Sequence, residues 1–120
     1  MIKSRHFWTA AIMMAIIPLL SMDIAQHYVD WQKDVSDVFN LIRGLSPHPA
    51  AFTYLNGKMI KIFKATKEID KPSSSPGEFE TDKKTYLKFA CTNGYVSIKQ
   101  LQLEGKKKIM VDEFLRGFRF

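Results

Sequence analysis

Apolar residues recur every three or four positions in the segment that follows Asp30. This spacing places them on one side of a helix, and that side is then buried against the rest of the protein. Gly44 and the prolines at positions 47 and 49 come directly afterwards and end the helix. We therefore predict one amphipathic helix whose buried side is formed by Val35, Val38, Phe39, Leu41, Ile42 and Leu45.

The pattern becomes strand-like after the prolines. The short apolar segment 51–55 leads into Asn56-Gly57, a dipeptide that favours the two-residue turn of a β-hairpin, and residues 59–66 resume an extended pattern. We therefore predict a hairpin over this region. Residues 71–77 contain two prolines, three serines and a glycine, which predicts a surface loop.

A second turn signal, Asn93-Gly94, predicts the register of another hairpin. A two-residue turn places the residues before and after it directly opposite each other on adjacent strands. The resulting pairs are Thr92 with Tyr95, Cys91 with Val96, Phe89 with Ile98, and Lys88 with Lys99. This register fills one face of the hairpin with apolar side chains and sets Lys88 opposite Lys99 on the outer face.

The apolar positions change parity along the strand that follows this turn. Val96 and Ile98 point to one face, whereas Leu101 and Leu103 occupy positions of the other parity. The buried face must therefore switch near Gln100. A β-bulge or a sharp bend produces such a switch, and bends of this kind close small barrels.

The end of the chain predicts a short second helix over residues 110–116. Asp112 and Glu113 in its first turn and Arg116 in its last turn complement the helix dipole, and Gly117 ends it. Short strands, a bend and a helix at each end predict a mainly β protein. We expect a small open Greek-key barrel of the oligonucleotide-binding (OB) type, preceded by one amphipathic helix and followed by a short C-terminal helix.

The first 28 residues differ from the rest of the chain. Residues 7–20 form an apolar run preceded by basic residues, which is the outline of a secretory signal peptide. A membrane-spanning helix needs about 20 apolar residues and Pro18 disfavours one, so an anchor is the poorer interpretation. We divide the chain into an apolar leader or linker-like segment, residues 1–28, and a folded domain, residues 29–120. Export, with residues 1–22 as the signal, stays open as an alternative to a cytoplasmic location.

Composition and motif spacing exclude most enzymatic chemistry. The chain has 120 residues, which fits one domain, and its single cysteine, Cys91, cannot form an intrachain disulfide. No cluster of His, Asp and Glu has the spacing of metal ligands. The glycines are too far apart for a dinucleotide-binding or phosphate-binding loop, and His48 between two prolines is interpreted as a loop residue. We therefore predict no catalytic residue, no metal and no cofactor in this chain.

The charge balance favours a polyanionic partner. The chain contains eighteen Lys and Arg residues and twelve Asp and Glu residues, which gives a net charge of +6. Like charges on directly opposite strand positions repel, so the predicted pair of Lys88 and Lys99 would be stabilised by an anion between them. A phosphate backbone is the obvious anion, and Tyr86 and Tyr95 could face outward as stacking surfaces.

Two separated segments carry motifs that occur together in one family. In residues 29–53 the motif (I/V)-x-W is followed by I-R-x-L-x-P-x-P-x-A, and in residues 101–117 L-Q is followed by G-K-K. The matching residues are Trp31, Ile42, Arg43, Leu45, Pro47, Pro49, Ala51, Leu101, Gln102, Gly105, Lys106 and Lys107. Ser75-Pro76-Gly77 and Cys91 also fall where that family tends to have Pro-Gly and a strand cysteine. Residues 29–120 thus resemble the C-terminal domain of the methionyl-tRNA formyltransferase family.

Two positions depart from the family pattern. His48 stands where an aromatic residue is usual between the two prolines, and Met110 stands where a helix-capping Ser or Thr is normal. The apolar run at the N-terminus is also foreign to the family. The first departure is expected to weaken local packing.

The resemblance implies a non-catalytic OB-like barrel that holds initiator tRNA by its phosphate backbone. A separate catalytic domain, without a counterpart in these 120 residues, would transfer a formyl group from 10-formyltetrahydrofolate to methionyl-tRNA. The expected phosphate contacts are Arg43, Lys61, Lys88, Lys99, Lys106 and Lys107. The alternatives are a protein-interaction module that docks on a formyltransferase catalytic chain, and an exported basic β-barrel.

Overall fold

The computed structural model describes residues 27–120 of the chain. The apolar run over residues 7–20, and the signal peptide kept as an alternative over residues 1–22, lie outside the described residues. The helices are α1 (Val35–Leu45) and α2 (Val111–Gly117). The strands are β1 (Ala51–Leu55), β2 (Lys58–Ile69), β3 (Phe79–Thr81), β4 (Leu87–Ala90), β5 (Gly94–Leu103) and β6 (Lys108–Met110).

The strands form one antiparallel sheet in the order β1-β2-β5-β4-β3, and β6 pairs with the same edge of β5 as β4 does, further along the strand. Strands β3, β4 and β5 follow one another as neighbours, while β2 lies on the other side of β5, which is the Greek-key order. The sheet curves into an open half-barrel with one helix before it and a short helix after it. The predicted fold class is confirmed.

The predicted switch of the buried face in β5 is also confirmed. Ile98 pairs with Ala65, Gln100 with Lys64 and Leu101 with Ile62, so the register shifts twice within a few residues. Ile98 and Leu101 are both fully buried although they have opposite parity. The two register shifts therefore move the buried face of β5 from one parity to the other near Gln100, as a β-bulge does.

The register predicted from Asn93-Gly94 is wrong. Lys88 pairs with Ser97 rather than with Lys99, and Phe89 pairs with Val96. The connection is wider than a two-residue turn because four residues, 91–94, lie between the paired Ala90 and Tyr95. The repulsion between Lys88 and Lys99 that suggested an anion site therefore does not exist.

Tertiary contacts explain this wider connection. The side-chain Oδ1 of Asn93 accepts a hydrogen bond from the Val35 backbone N–H at 2.8 Å, and its Nδ2 donates to Asp34 Oδ2 at 2.9 Å. Gly94 lies so close to β2 that a Cβ atom on it would be 2.1 Å from the Glu68 carbonyl oxygen. Asn93-Gly94 thus joins the start of α1 to the sheet instead of forming a tight turn.

The core lies between the helices and one face of the sheet, here called the inner face. Val35, Val38 and Ile42 of α1 are buried there, as are three residues of α2. Trp31 stacks on Phe89 with ring centroids 4.7 Å apart, and its Nε1–H donates to the Thr53 hydroxyl at 3.0 Å. The opposite face, here called the outer face, is open to a ligand.

The two helices begin differently. Asp34 caps α1, since its Oδ1 accepts a hydrogen bond from the Ser36 backbone N–H at 2.7 Å. Met110 precedes α2 and makes no side-chain capping bond, as expected at a position where Ser or Thr is normal. Over residues 27–120, neither helix has the length and apolar character needed to cross a membrane.

Candidate nucleic-acid interface

A row of side chains crosses four strands on the outer face. Phe52 of β1 pairs with Lys61 of β2, Lys61 pairs with Gln102 of β5, and Gln102 pairs with Lys108 of β6. Directly paired residues project to the same side of a sheet. Their chain neighbours Ala51, Ile62 and Leu101 are fully buried on the inner face. The register therefore places Lys61 and Lys108 on one surface with Gln102 between them.

The turn between β5 and β6 adds further lysines beside this row. Gln102 Nε2 donates a hydrogen bond to the Lys106 carbonyl oxygen at 2.7 Å, and the Lys106 N–H donates to the Leu103 carbonyl oxygen at 2.9 Å. These bonds order the turn, in which Lys106 and Lys107 directly precede Lys108 and line a cavity with Glu113 and Phe114 of α2. The group Lys61, Lys106, Lys107 and Lys108 is called here the lysine cluster.

The lysine cluster is not neutralised by nearby carboxylates. Two ion pairs occur among residues 27–120, Lys88 with Glu68 and Arg116 with Asp112, and neither includes a cluster lysine. Lys108 instead lies over the ring of Phe63, with its Nζ 4.3 Å from the ring centroid. Glu104 is the one acidic residue within the β5–β6 turn. None of the four lysines thus has an ion-pair partner among residues 27–120, although Glu113 of α2 lines the same cavity as Lys106 and Lys107.

Lys88 lies in a different environment on the same face. Its Nζ is 3.6 Å from Glu68 Oε1 and 4.2 Å from the centroid of the Tyr95 ring. Tyr95 is only 5% exposed, and its hydroxyl donates to Glu80 Oε2 at 2.8 Å. That hydrogen bond, together with burial, raises the pKa of the Tyr95 hydroxyl. Lys88 is thus already partnered within the protein, and Tyr95 lies beneath it rather than forming an open stacking surface.

The other predicted contacts are dispersed. Arg43 lies on α1, which covers the inner face, and its guanidinium is 5.6 Å from the centroid of the Phe39 ring. Lys99 is exposed at the irregularity in β5. Of the six predicted contacts, Lys61 lies in the row, Lys106 and Lys107 lie in the adjoining β5–β6 turn, and Arg43, Lys88 and Lys99 lie elsewhere.

An aromatic cluster at the edge of the sheet was not predicted. Tyr28, Phe52 and Tyr54 lie with ring centroids 5.4 to 6.1 Å apart. Tyr28 is 45% and Tyr54 52% exposed, so both are accessible to a ligand. The alternation in residues 51–55 could have predicted that Phe52 and Tyr54 lie on the same face of β1, because both have the parity opposite to that of Ala51 and Leu55. Lys108, the third residue of the lysine triplet, was also missed as a contact.

No candidate catalytic group emerges beside these surfaces. Burial raises the pKa of the Cys91 thiol to about 11, which keeps it protonated and unreactive. His48 is exposed in the loop after α1. Within residues 27–120 there is no group of three or more His, Cys, Asp and Glu side chains that could hold a metal ion.

Comparison with protein families gives a match over most of the chain. The family model described as "Formyl transferase, C-terminal domain" matches residues 22–119. The methionyl-tRNA formyltransferase of Phocaeicola vulgatus is 40% identical over 96 residues, covering 76% of this chain and 30% of that protein. The corresponding protein of Parabacteroides distasonis is 33% identical over 123 residues, covering 98% of this chain and 37% of its own length. The chain thus spans about a third of the length of these relatives.

Solved structures support the same fold. HypX from Aquifex aeolicus in complex with tetrahydrofolic acid superimposes with a TM-score of 0.58 at 23% sequence identity. The match covers 76% of this chain and 17% of that one. A second HypX structure, a multiple-substitution variant, also gives a TM-score of 0.58, at 22% identity. At these identities the likeness concerns the fold alone.

Proposed function

Because the chain belongs to the formyl transferase C-terminal domain family, we propose that it binds tRNA through the phosphate backbone, using the lysine cluster of β2, β6 and the β5–β6 turn. The ligand is initiator methionyl-tRNA, and the bound tRNA is presented to a separate catalytic domain that formylates it. The names of the relatives, methionyl-tRNA formyltransferases, support this choice of ligand. Such a ligand implies a cytoplasmic protein.

One observation carries the proposal: the strand register aligns Lys61 and Lys108 on one face, with Lys106 and Lys107 beside them. Lysine is a compact point charge that attracts a phosphate without demanding a particular geometry. Neutralising phosphates releases condensed counterions, so the affinity arises largely from charge and depends strongly on salt. Contacts of this kind position a nucleic acid and do not read its sequence.

The remaining predicted contacts have secondary roles in this proposal. A tRNA is large enough to reach Lys99 and Arg43 as well as the cluster. Lys88 contributes little because Glu68 and the Tyr95 ring already stabilise its charge. The residues of this chain bind and orient the tRNA, whereas 10-formyltetrahydrofolate is bound by the catalytic domain.

The test measures the affinity of the full chain for initiator tRNA at several salt concentrations. Each phosphate contact contributes about 0.7 to 0.9 to the slope of log K against log salt. Replacing Lys61, Lys106 and Lys107 together by alanine is therefore expected to reduce the magnitude of that slope by about 2 to 3.

A matched variant controls for the change in net charge. Lys33, Lys71 and Lys84 are exposed lysines outside the cluster, so replacing all three by alanine removes the same charge. This variant is expected to keep a slope close to that of the unaltered chain. Equal slopes for the two triple variants, or tRNA affinity that does not depend on salt, would contradict the proposal.

A further inference from the structure

A cleft opens beside the aromatic cluster, on the side of β1 that faces away from β2. It has a volume of about 560 Å³. Its lining includes Tyr28, Asp30, Gln32, Tyr54, Pro76 and Gly77. We call it the edge cleft, and it lies outside the lysine cluster.

The walls of the edge cleft are held by hydrogen bonds. The Val29 N–H donates to the Phe52 carbonyl oxygen at 3.0 Å and Tyr28 is bridged to Phe52, so the chain runs alongside β1 at these two residues before it turns. The side chains of Tyr28, Asp30 and Gln32 are exposed and line the cleft. The buried Trp31 anchors the segment through its Nε1–H bond to the Thr53 hydroxyl. The cleft is therefore formed before any ligand arrives.

Two tyrosine rings offer faces for stacking. The centroids of the Tyr28 and Tyr54 rings are 6.1 Å apart, and the buried Phe52 contacts both from beneath. Tyrosine loses little conformational freedom when it binds a flat ligand, and this loss is smaller still for rings that are already packed. Stacking on such rings is available to any nucleobase.

Charge selects which part of a nucleotide enters the edge cleft. Asp30 lies at the cleft, where one carboxylate oxygen accepts a hydrogen bond from the Gln32 N–H at 3.0 Å. A carboxylate repels a phosphate, but it accepts hydrogen bonds from the amino groups at the edge of a base. Lys61 is paired with Phe52 on the neighbouring strand, so a positive charge lies just beyond the aromatic cluster. The base thus fits the edge cleft, and the phosphate fits the adjacent surface at Lys61.

We propose that the edge cleft binds one unpaired, amino-bearing base of the RNA whose backbone lies on the lysine cluster. Tyr28 and Tyr54 stack on the base, Asp30 accepts its amino hydrogen, and Lys61 contacts the adjoining phosphate. This inference rests on the proposed function, to which it adds recognition of a single-stranded position. Unpaired bases are the parts of an RNA that protein side chains reach most readily.

The test compares two probes with the same number of phosphates, a cytidine hexaribonucleotide and an abasic ribose-phosphate oligomer of equal length. Their affinities for the full chain are measured by fluorescence anisotropy. The electrostatic contribution is common to both probes, so a difference reports on the bases. The cytidine probe is expected to bind at least about fivefold more tightly, since stacking of this kind contributes at least that factor per base.

Variants locate the difference. Tyr54→Ala is expected to remove most of the preference for the cytidine probe, while Tyr54→Phe retains the ring and the preference. Phe120→Ala alters an aromatic residue that is partly exposed and does not line the cleft, and it is expected to change neither affinity.

The outcomes separate this inference from the proposed function. If both probes bind equally with salt-dependent affinity, or if Tyr54→Ala weakens both alike, the edge cleft does not hold a base although the lysine cluster still binds backbone. If the edge cleft binds a protein partner instead of a base, the two probes also bind with equal affinity. If neither probe binds and tRNA does not bind either, the proposed function fails as well.

Discussion

The same dipeptide, Asn-Gly, occurs at two places in this chain and has two different structures. Asn56-Gly57 forms a tight hairpin turn, with both residues at positive φ, 50° and 82°, and Leu55 paired with Lys58 across it. Asn93-Gly94 lies in a wider connection, and Gly94 does not have a positive φ. The turn preference of Asn-Gly thus decides the structure at one site only.

The surroundings explain the difference. A Cβ on Gly57 would have no other atom within 4 Å, so the local preference for a left-handed backbone acts alone there. Asn93 is instead bonded to Asp34 and to the Val35 N–H, and Gly94 lies against the backbone of Glu68. Where a dipeptide is packed between a helix and a strand, these contacts outweigh its turn preference.

The functional consequence concerns Lys88. The wider connection moves Lys88 by two positions along β5, from Lys99 to Ser97, and leaves it beside Glu68. In the proposed function the charge that contacts tRNA is therefore that of the lysine cluster, at the other end of β5. Four substitutions or measurements test the contrast between the two Asn-Gly sites.

The largest effect is expected from Gly94→Ala. The new Cβ would overlap the Glu68 carbonyl oxygen, and backbone atoms cannot move aside without breaking the pairing of β2 with β5. We expect a loss of about 3 kcal/mol in the free energy of unfolding, measured by urea denaturation. A loss below about 1 kcal/mol would mean that the close approach of Gly94 to β2 is not required.

Asn93→Ala is expected to have the next largest effect. It removes the acceptor of the Val35 N–H and the donor to Asp34, which together link the start of α1 to the sheet. The expected cost is about 1 to 2 kcal/mol by the same measurement, as for other helix-terminus bonds. Asn56→Ala is the matched control and should cost less, because it affects only the local turn preference. A larger cost for Asn56→Ala than for Asn93→Ala would contradict the role of Asn93 in linking α1 to the sheet.

Gly57→Ala is expected to cost about 1 kcal/mol through the positive φ alone, since no atom is close to the new Cβ. The same denaturation experiment measures it. A cost equal to that of Gly94→Ala would show that the two glycines are retained for the same reason. Crosspeak changes in an NMR spectrum should be confined to the β1–β2 hairpin for this variant.

The last prediction is a pH dependence and concerns Cys91 in the wider connection. Its thiol pKa is raised to about 11 by burial, so the folded protein retains the proton in a range where the unfolded chain releases it. The stabilisation is present below the ordinary thiol pKa and is lost as the pH rises towards 11. The change in melting temperature between pH 8 and pH 10.5, values on either side of the ordinary thiol pKa of about 8.5, should therefore be smaller in Cys91→Ala than in the unaltered chain. Equal changes in melting temperature for the two proteins would indicate that the connection over residues 91–94 opens and exposes the Cys91 thiol to water.

Much of the fold was predictable because its signals are local or periodic. The apolar spacing in α1 follows from the helical repeat, and Asn56-Gly57 acts without help from distant residues. The parity change between Ile98 and Leu101 predicted the irregularity in β5, because a strand can bury both only if its face switches. The motifs in residues 29–53 and 101–117 led to the same family that the comparisons identify.

The site was predictable only in part. Lys106 and Lys107 were recognised as a charged run, but their place beside Lys61 depends on the pairing of β2, β5 and β6. Tyr28 and Tyr54 are 26 positions apart in the sequence and meet only because the Val29 N–H bonds to Phe52 of β1. No local pattern encodes such a meeting.

The amino-acid sequence alone determined the element types, the helix at each end, the switch in β5 and the absence of nucleotide-binding loop motifs. These features depend on residue period, on backbone preference and on residue type, which are properties of neighbouring positions. Only the tertiary structure decided which lysines are free and which are partnered. That choice depends on strand register, and here the register was set by contacts of Asn93 and Gly94 with a helix and a strand more than 20 residues away in the chain.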